Sequence, residues 1–161
     1  FPVPCELPQD RPEGFLVVTI ARPVPWKGLE GLARVVAKEK HWKLKIIDGL
    51  PYPQAMGWVK TADVFVLNST YEGLSHALIE TMSLGVPIVA TAVGGNPELI
   101  EHEVDGLLIK PNDDDGLHRA LKNIEEHKDA ARARTESARA KLKSFSIDHT
   151  IGQLCELLKH I

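Results

Sequence analysis

Two glutamates, Glu72 and Glu80, stand in the run Asn68-Ser69-Thr70-Tyr71-Glu72-Gly73-Leu74-Ser75-His76-Ala77-Leu78-Ile79-Glu80. A helix opening near Ser75 offers unpaired N–H groups and the positive end of its dipole, and Gly73 lets the backbone come close to a ligand. Glu80, one and a half turns past Ser75, lies roughly 7 Å along such a helix, which suits a carboxylate accepting both ribose hydroxyls while phosphates stay at the helix end. Glu72, on the loop before the helix, then faces the other end of the ligand, where a sugar can sit. The plainer alternative makes Ser75 an N-cap only and Glu80 a surface charge only. A second loop, Ala21-Arg22-Pro23-Val24-Pro25-Trp26-Lys27-Gly28, carries two cations just before a helical stretch. Guanidinium and ammonium there can neutralise a diphosphate, or they are solvated loop charges. A third loop, Ala92-Val93-Gly94-Gly95-Asn96-Pro97-Glu98, runs through two glycines into a short helix, with Pro97 suited to its first turn. No Lys-Ser or Lys-Thr follows, so it is not a P-loop, and the three-glycine dinucleotide fingerprint is absent.

The elements that must hold these loops follow from periodicity. Phe15 to Ile20, Leu44 to Ile47, Val64 to Leu67, Pro87 to Thr91 and Leu107 to Ile109 are short, continuously apolar, β-branched runs, as expected of parallel strands covered on both faces. Between the first two, Leu29, Leu32, Ala33, Val36 and Ala37 fall on one helical stripe. The alternation predicts an α/β fold with an open, doubly wound, Rossmann-like parallel sheet, helices on both faces and right-handed crossovers. In such a sheet the ligand crevice lies outside the carboxyl ends of the strands, where the three loops fall. After the last strand the pattern is helical, with one stripe at Leu117, Ala120, Leu121 and Ile124 and another at Ile147, Ile151, Leu154, Cys155 and Leu158. Asp113-Asp114-Asp115, just ahead of the first of these, reads as a helix cap rather than a metal site. His76, on the first turn of the motif helix, either touches a sugar or points to solvent.

At 161 residues the chain has room for about one domain, by the usual prior of roughly 100 to 200 residues. Residues 1–14 hold four prolines and predict an extended lead-in, with a single domain over 15–161. A hydrophobic fraction of 43% with 25% charged residues excludes disorder, collagen and coiled coil. A net charge of −3 gives no reason to expect nucleic acid or an anionic membrane as partner. Cys5 and Cys155 have no metal-ligand spacing, the longest apolar run is too short for a membrane helix, and no leader opens the chain, so the expected setting is cytoplasmic. The start at Phe1 rather than at a methionine leads to the expectation of a piece of something longer.

Taken together, the three loops resemble the donor-binding half of a retaining GT-B glycosyltransferase of the large group 1 family, from about Val17 to the C-terminus. The most specific element is Glu72 to Glu80, similar to the family's Glu-x7-Glu signature, followed by Ser83-Leu84-Gly85-Val86-Pro87-Ile88-Val89-Ala90-Thr91. Val93-Gly94-Gly95-Asn96-Pro97-Glu98-Leu99-Ile100 comes next, continuing through Gly106-Leu107-Leu108-Ile109-Lys110-Pro111. The resemblance implies the C-terminal half of a GT-B fold followed by C-terminal helices. Arg22 and Lys27 would hold the donor diphosphate, Glu80 the ribose and Glu72 the transferred sugar. The backbone around Gly73, Leu74 and Ser75, and Gly94 and Gly95, would complete the donor site. It further implies transfer of a hexose from a nucleotide sugar to a glycan or lipid-linked acceptor in polysaccharide biosynthesis, with no metal and no other cofactor. The acceptor would sit on an N-terminal half, in the same or a partner chain, through which the protein could lie peripherally at the inner membrane. Two other functions compete: a stand-alone nucleotide-sugar-binding subunit of a split transferase, and a GT-B-like nucleotide-sugar epimerase, against which the paired Glu72 and Glu80 argue.

The sequence departs from the family pattern in two places. The usual Gly-Asp-Gly-Pro reads Ile47-Asp48-Gly49-Leu50-Pro51, and only a short stretch separates it from Ala62-Asp63-Val64-Phe65. Where relatives fit a helix, a strand and a second helix, Pro53 to Thr61 can hold one short helix: either the domain has lost a helix and a strand or a segment is missing from this stretch, and since that loop normally helps wall the base pocket, the base stays open. The N-terminal half is the other absence.

Overall fold

The structure, a computed structural model, describes residues 3–142. Five parallel strands, β1 (Phe15–Ile20), β2 (Trp42–Ile47), β3 (Val64–Leu67), β4 (Ile88–Thr91) and β5 (Leu107–Ile109), form one sheet in the order β2-β1-β3-β4-β5. All four pairings are parallel, with Val17 opposite both Leu44 and Val64, Phe65 opposite Ile88, and Ala90 opposite Leu108. The fold class read from the alternation is thus the observed one. β3 and β4 are buried along their whole length, which is why they read as unbroken apolar runs rather than alternating ones.

Helices cover both faces. On one side α1 (Leu29–Val36) and α5 (Asp114–Glu126) bury Leu32, Val35, Leu117 and Leu121 against Val17, Val64, Val66 and Val89. On the other, α2 (Tyr52–Thr61), α3 (His76–Leu84) and α6 (Lys128–Leu142) enclose Leu16, Val18, Phe65, Leu67, Leu78 and Met82. Each such fully buried side chain contributes about 1.5–3 kcal/mol relative to exposure. A single turn, α4 (Asn96–Leu99), follows β4, and a 3-10 turn at Pro25–Lys27 precedes α1.

The α1 stripe differs from the expected one. Ala33 and Ala37 are exposed, and the buried face is Gly31, Leu32, Val35 and Val36. Alanine has too little apolar surface to decide a helix's rotation, so the larger Val35 takes the core position. The expected stripe from Ile147 to Leu158 lies outside the described residues. The sequence between the two stripes, Asp129 to Lys143, is rich in Ala and Arg; its residues up to Leu142 lie in α6, and Lys143 is outside the described residues.

The crossover between β2 and β3 holds α2 alone, reached directly through Asp48 to Pro51. Residues 3–14 carry no helix or strand and run across α2. The Glu6 amide donates to Pro53 O at 2.8 Å, and Arg11 donates to Thr61 O and pairs with Asp63 at 2.8 Å. From β1 the chain winds outward through α1 to β2, then returns through α2 to β3 on the other side of β1. The carboxyl ends of β1 and β3 are therefore where the winding direction reverses and the following loops part, the position at which open α/β sheets bind ligands. No helix among the described residues is long and apolar enough to cross a membrane.

Candidate functional site

Three loops, after β1, β3 and β4, lie side by side and are stitched together by backbone. The Thr70 amide donates to Trp26 O at 2.8 Å, and Asn68 Nδ2 donates to Gly28 O at 2.9 Å, fastening the β1 loop to the β3 loop. Gly28 closes the 3-10 turn at φ +61°, and a Cβ there would meet Asn68 O at 2.1 Å. On the other flank the Gly95 amide donates to Gly73 O at 3.1 Å, and Thr91 Oγ1 donates to Ser69 O at 2.6 Å. Asn96 Nδ2 in turn donates to Thr91 O at 2.9 Å. Gly94 has φ +53°, and its missing Cβ would fall 1.8 Å from Glu72 O. The two glycines of the third loop thus seat the carbonyls of Glu72 and Gly73 in turn, a part that a Gly-Gly pair in sequence does not disclose.

The stitching fixes the residues singled out by type and spacing. Lys27 Nζ donates to Glu72 Oε1 at 2.5 Å, an ion pair whose side chains are only 22% and 12% exposed. The residue expected at the phosphates and the one expected at the sugar are therefore in direct contact. Ser75 is buried at the N-cap position of α3, yet its side chain makes no capping hydrogen bond and no acidic residue stands in the first turn. The first amides of α3 are thus left without a side-chain cap, and the helix's positive end is uncompensated. His76 is exposed, and Gly73 has no atom within 4 Å of where a Cβ would stand.

Arg22, Lys27 and Glu80 line one hollow of about 600 Å³ over the ends of β1 and β2, together with Ile20, Ile47, Asp48, Leu50, Tyr52, Met56 and Ala77. Its lining is mixed: apolar from β2 and α2, cationic from the β1 loop, acidic at Asp48 and Glu80. Arg22 stands exposed on its wall. Glu80 is half-buried and accepts a hydrogen bond from Tyr52 Oη at 2.9 Å. The Tyr52 phenol is pushed up from its ordinary value, first by burial and then by the bond to Glu80 and its charge. Tyr52 carried no signal in the sequence, because only the short crossover and the return of α2 over α3 bring it to Glu80.

A larger hollow of about 730 Å³ lies on the far side of the β1 loop, lined by Glu30, Asp113, Asp114 and Asp115 among others. Its carboxylates oppose a phosphate ligand, and its cation, Arg34, pairs with Asp114 at 3.1 Å. Asp113 accepts from the Gly116 amide at 2.7 Å, so the aspartate run does cap α5, as its spacing suggests.

Compared with known proteins, residues 43–141 match the family profile described as glycosyl transferases group 1. The UDP-Gal:alpha-D-GlcNAc-diphosphoundecaprenol alpha-1,3-galactosyltransferase of Escherichia coli is 38% identical over 80 residues, 45% of this chain and 21% of its own length. Among solved structures, Anabaena HepE in complex with UDP-glucose superposes with a TM-score of 0.72 at 21% identity, over 92% of this chain and 49% of that one. The C-terminal domain of a glycosyl transferase group 1 family protein, LpcC of Francisella tularensis, gives 0.72 at 17% identity and covers 84% of this chain and 88% of that one. The two superpositions bear on the fold. The chain spans about a fifth of the length of the first curated relatives it matches.

Proposed function

The chain belongs to the group 1 glycosyl transferases, and on that premise we propose that it is the donor half of such an enzyme. It binds a nucleotide sugar from the hollow over the ends of β1 and β2 to the N-terminus of α3 and presents it to an acceptor held by an N-terminal half, in the same or a partner chain. The observation that carries this reading is the convergence of Arg22, Lys27 and Glu80 on one hollow beside the switch point, with Glu72 held against Lys27. The nucleoside lies over β2 and α2 with its ribose at Glu80. Its diphosphate lies between Arg22, Lys27 and the N-terminus of α3, and its sugar lies at Glu72. Supporting a nucleotide sugar as ligand, the structural relative HepE is in complex with UDP-glucose.

The chemistry is transfer with retention at the anomeric carbon. The bond from that carbon to the diphosphate oxygen breaks, and the acceptor oxygen bonds on the same face. The acceptor's proton passes to the departing diphosphate. As the transition state pushes negative charge onto that diphosphate, two cations and a helix N-terminus stabilise it more than the ground state. In this reading the positive charge that meets the leaving diphosphate comes from the protein's own cations, Arg22 and Lys27. A glycan or lipid-linked acceptor is in keeping with the diphosphoundecaprenol in the Escherichia coli relative's name. The reading sets the chain in the cytoplasm, against the membrane through its acceptor half.

Calorimetric titration with UDP, GDP and ADP tests the reading. Arg22→Ala and Lys27→Ala should each weaken the nucleoside diphosphate that binds by about 10-fold or more, since a charge-assisted hydrogen bond is worth about 1.5 to 3 kcal/mol. EDTA should change nothing. Unchanged affinity in both variants removes the diphosphate assignment, and binding that needs magnesium or manganese removes the metal-free mechanism.

A further inference from the structure

Tyr52 is the first residue of α2 and is held from several directions. Pro51 precedes it and Pro53 follows, the amides of Gln54 and Ala55 donate to Pro51 O at 3.0 Å, and Glu6 bonds the Pro53 carbonyl. With its backbone pinned this way, the phenol reaches across from α2 to Glu80 on α3 and donates to Oε1 at 2.9 Å. Glu80 Oε2 has no hydrogen-bond partner among the described residues. An unrestrained glutamate loses rotamer freedom when a ligand orders it, and that loss weakens binding. Here an O–H to carboxylate bond, of the stronger charge-assisted kind, has already ordered it.

We propose that Tyr52 is the positioning residue for ribose recognition: it locks the Glu80 carboxylate across the hollow, so that the donor's ribose is selected over 2′-deoxyribose. The inference rests on the donor-site reading and adds to it the residue that sets the sugar specificity of the nucleoside. A carboxylate has about four lone-pair sites, so with the Tyr52 hydroxyl on Oε1 it still accepts one ribose hydroxyl through each oxygen, and a site built to bond two hydroxyls rejects the analogue that lacks one because an acceptor is left unpaired. That rejection is strong only when the acceptor cannot swing away to solvent. The phenol is a donor throughout the neutral range, and burial and the Glu80 charge push its pKa further up. The half-exposed Tyr52 ring, at 45%, packs in part on the hollow, so removal of its hydroxyl leaves the fold and the wall intact.

The experiment titrates the full chain with UDP and GDP, their 2′-deoxy counterparts, and free pyrophosphate. The wild type should prefer the ribonucleotide by about 10-fold or more. Tyr52→Phe should reduce that preference to about 3-fold or less, mainly through weaker ribonucleotide binding, with the 2′-deoxynucleotide and pyrophosphate unchanged. Glu80→Gln should narrow it in the same way. If Glu80→Gln narrows the preference and Tyr52→Phe keeps it whole, the Tyr52 assignment fails while the donor site stands. An equal loss for all ligands in Tyr52→Phe, pyrophosphate included, overturns it in favour of a purely structural part. A wild type that binds ribo and deoxy forms equally removes Glu80 and Tyr52 together, and one that binds no nucleoside diphosphate removes the donor-site reading as well.

Discussion

Glu72 and Glu80 share a helix and its approach loop, yet they meet different neighbours. Glu72 is nearly enclosed and paired with Lys27, whereas Glu80 opens onto the hollow beneath Tyr52. That difference separates their expected effects. Glu80→Gln should weaken a nucleoside diphosphate several-fold and spare pyrophosphate, because an amide oxygen accepts hydroxyl hydrogen bonds less strongly than a carboxylate. Glu72→Gln should leave the nucleoside diphosphate within about 2-fold and lower affinity for the intact nucleotide sugar, an effect measured by titrating both ligands against both variants. Equal loss of the free diphosphate in the two variants would move Glu72 away from the sugar. As candidates, Arg22, Lys27 and Glu72 were legible in the sequence because loops after strands are where such a sheet displays side chains, and Glu80 because it follows on the helix that the third of those residues leads into. The Lys27–Glu72 contact was not, since the two residues stand on different loops and only the β1–β3 pairing brings them together.

At the scale of elements, the site depends on loops that brace one another. Gly94 and Gly73 look alike in sequence but have opposite surroundings: a Cβ on Gly94 collides with Glu72 O, and one on Gly73 meets nothing. Gly94→Ala should therefore cost about 1–2 kcal/mol for its left-handed backbone alone, more with the collision, and disturb donor binding through Glu72. Gly73→Ala should melt like the wild type and bind a nucleotide sugar less well if a ligand passes against that backbone. Thermal denaturation paired with titration separates the two. The helices behind the loops carry an acid-sensitive element. Burial alone would raise Asp105, but Lys141, the Glu101 amide and Ser137 hydrogen-bond to it and hold it below its ordinary value. Glu125 is likewise opposed by burial and pulled down by His41, Trp42 and Lys122. Both carboxylates are thus depressed in the folded state. Their contribution is complete above the unfolded values near 3.8 and 4.5 and is lost as pH falls through the lower folded ones. Melting temperature should drop steeply below about pH 4, and Asp105→Asn should remove about 1–3 kcal/mol at pH 7 and flatten that acid slope.

For the molecule as a whole, donor binding and transfer should separate. Transfer needs the acceptor hydroxyl within about 3 to 3.5 Å of the anomeric carbon, and positioning of that kind supplies a large share of rate acceleration. The loops at the strand ends are taken up with one another and with the proposed donor, and the hollow at Glu80 stays open to water. The chain alone should therefore bind a nucleotide sugar without transferring it, and gain activity when co-expressed with an acceptor half. Incubation with labelled nucleotide sugars and an acceptor panel measures both, and robust transfer by the chain alone would place an acceptor site within these residues.

The sequence by itself determined the strand runs, the αβ alternation, the capping of α5 and the residues with chemistry to offer. Hydrophobic period, glycine, proline and charge are local properties that a chain displays whatever its partners. It also disclosed the shortened crossover between β2 and β3. Only the tertiary structure decided that Gly94 serves Glu72, that Lys27 and Glu72 face one another, that α1 turns Val35 rather than Ala33 to the core, and that Tyr52 reaches Glu80. Each of these depends on how far one loop or helix stands from another that is remote in the chain. That distance is set by the packing of both faces on the sheet, and no spacing along the sequence encodes it.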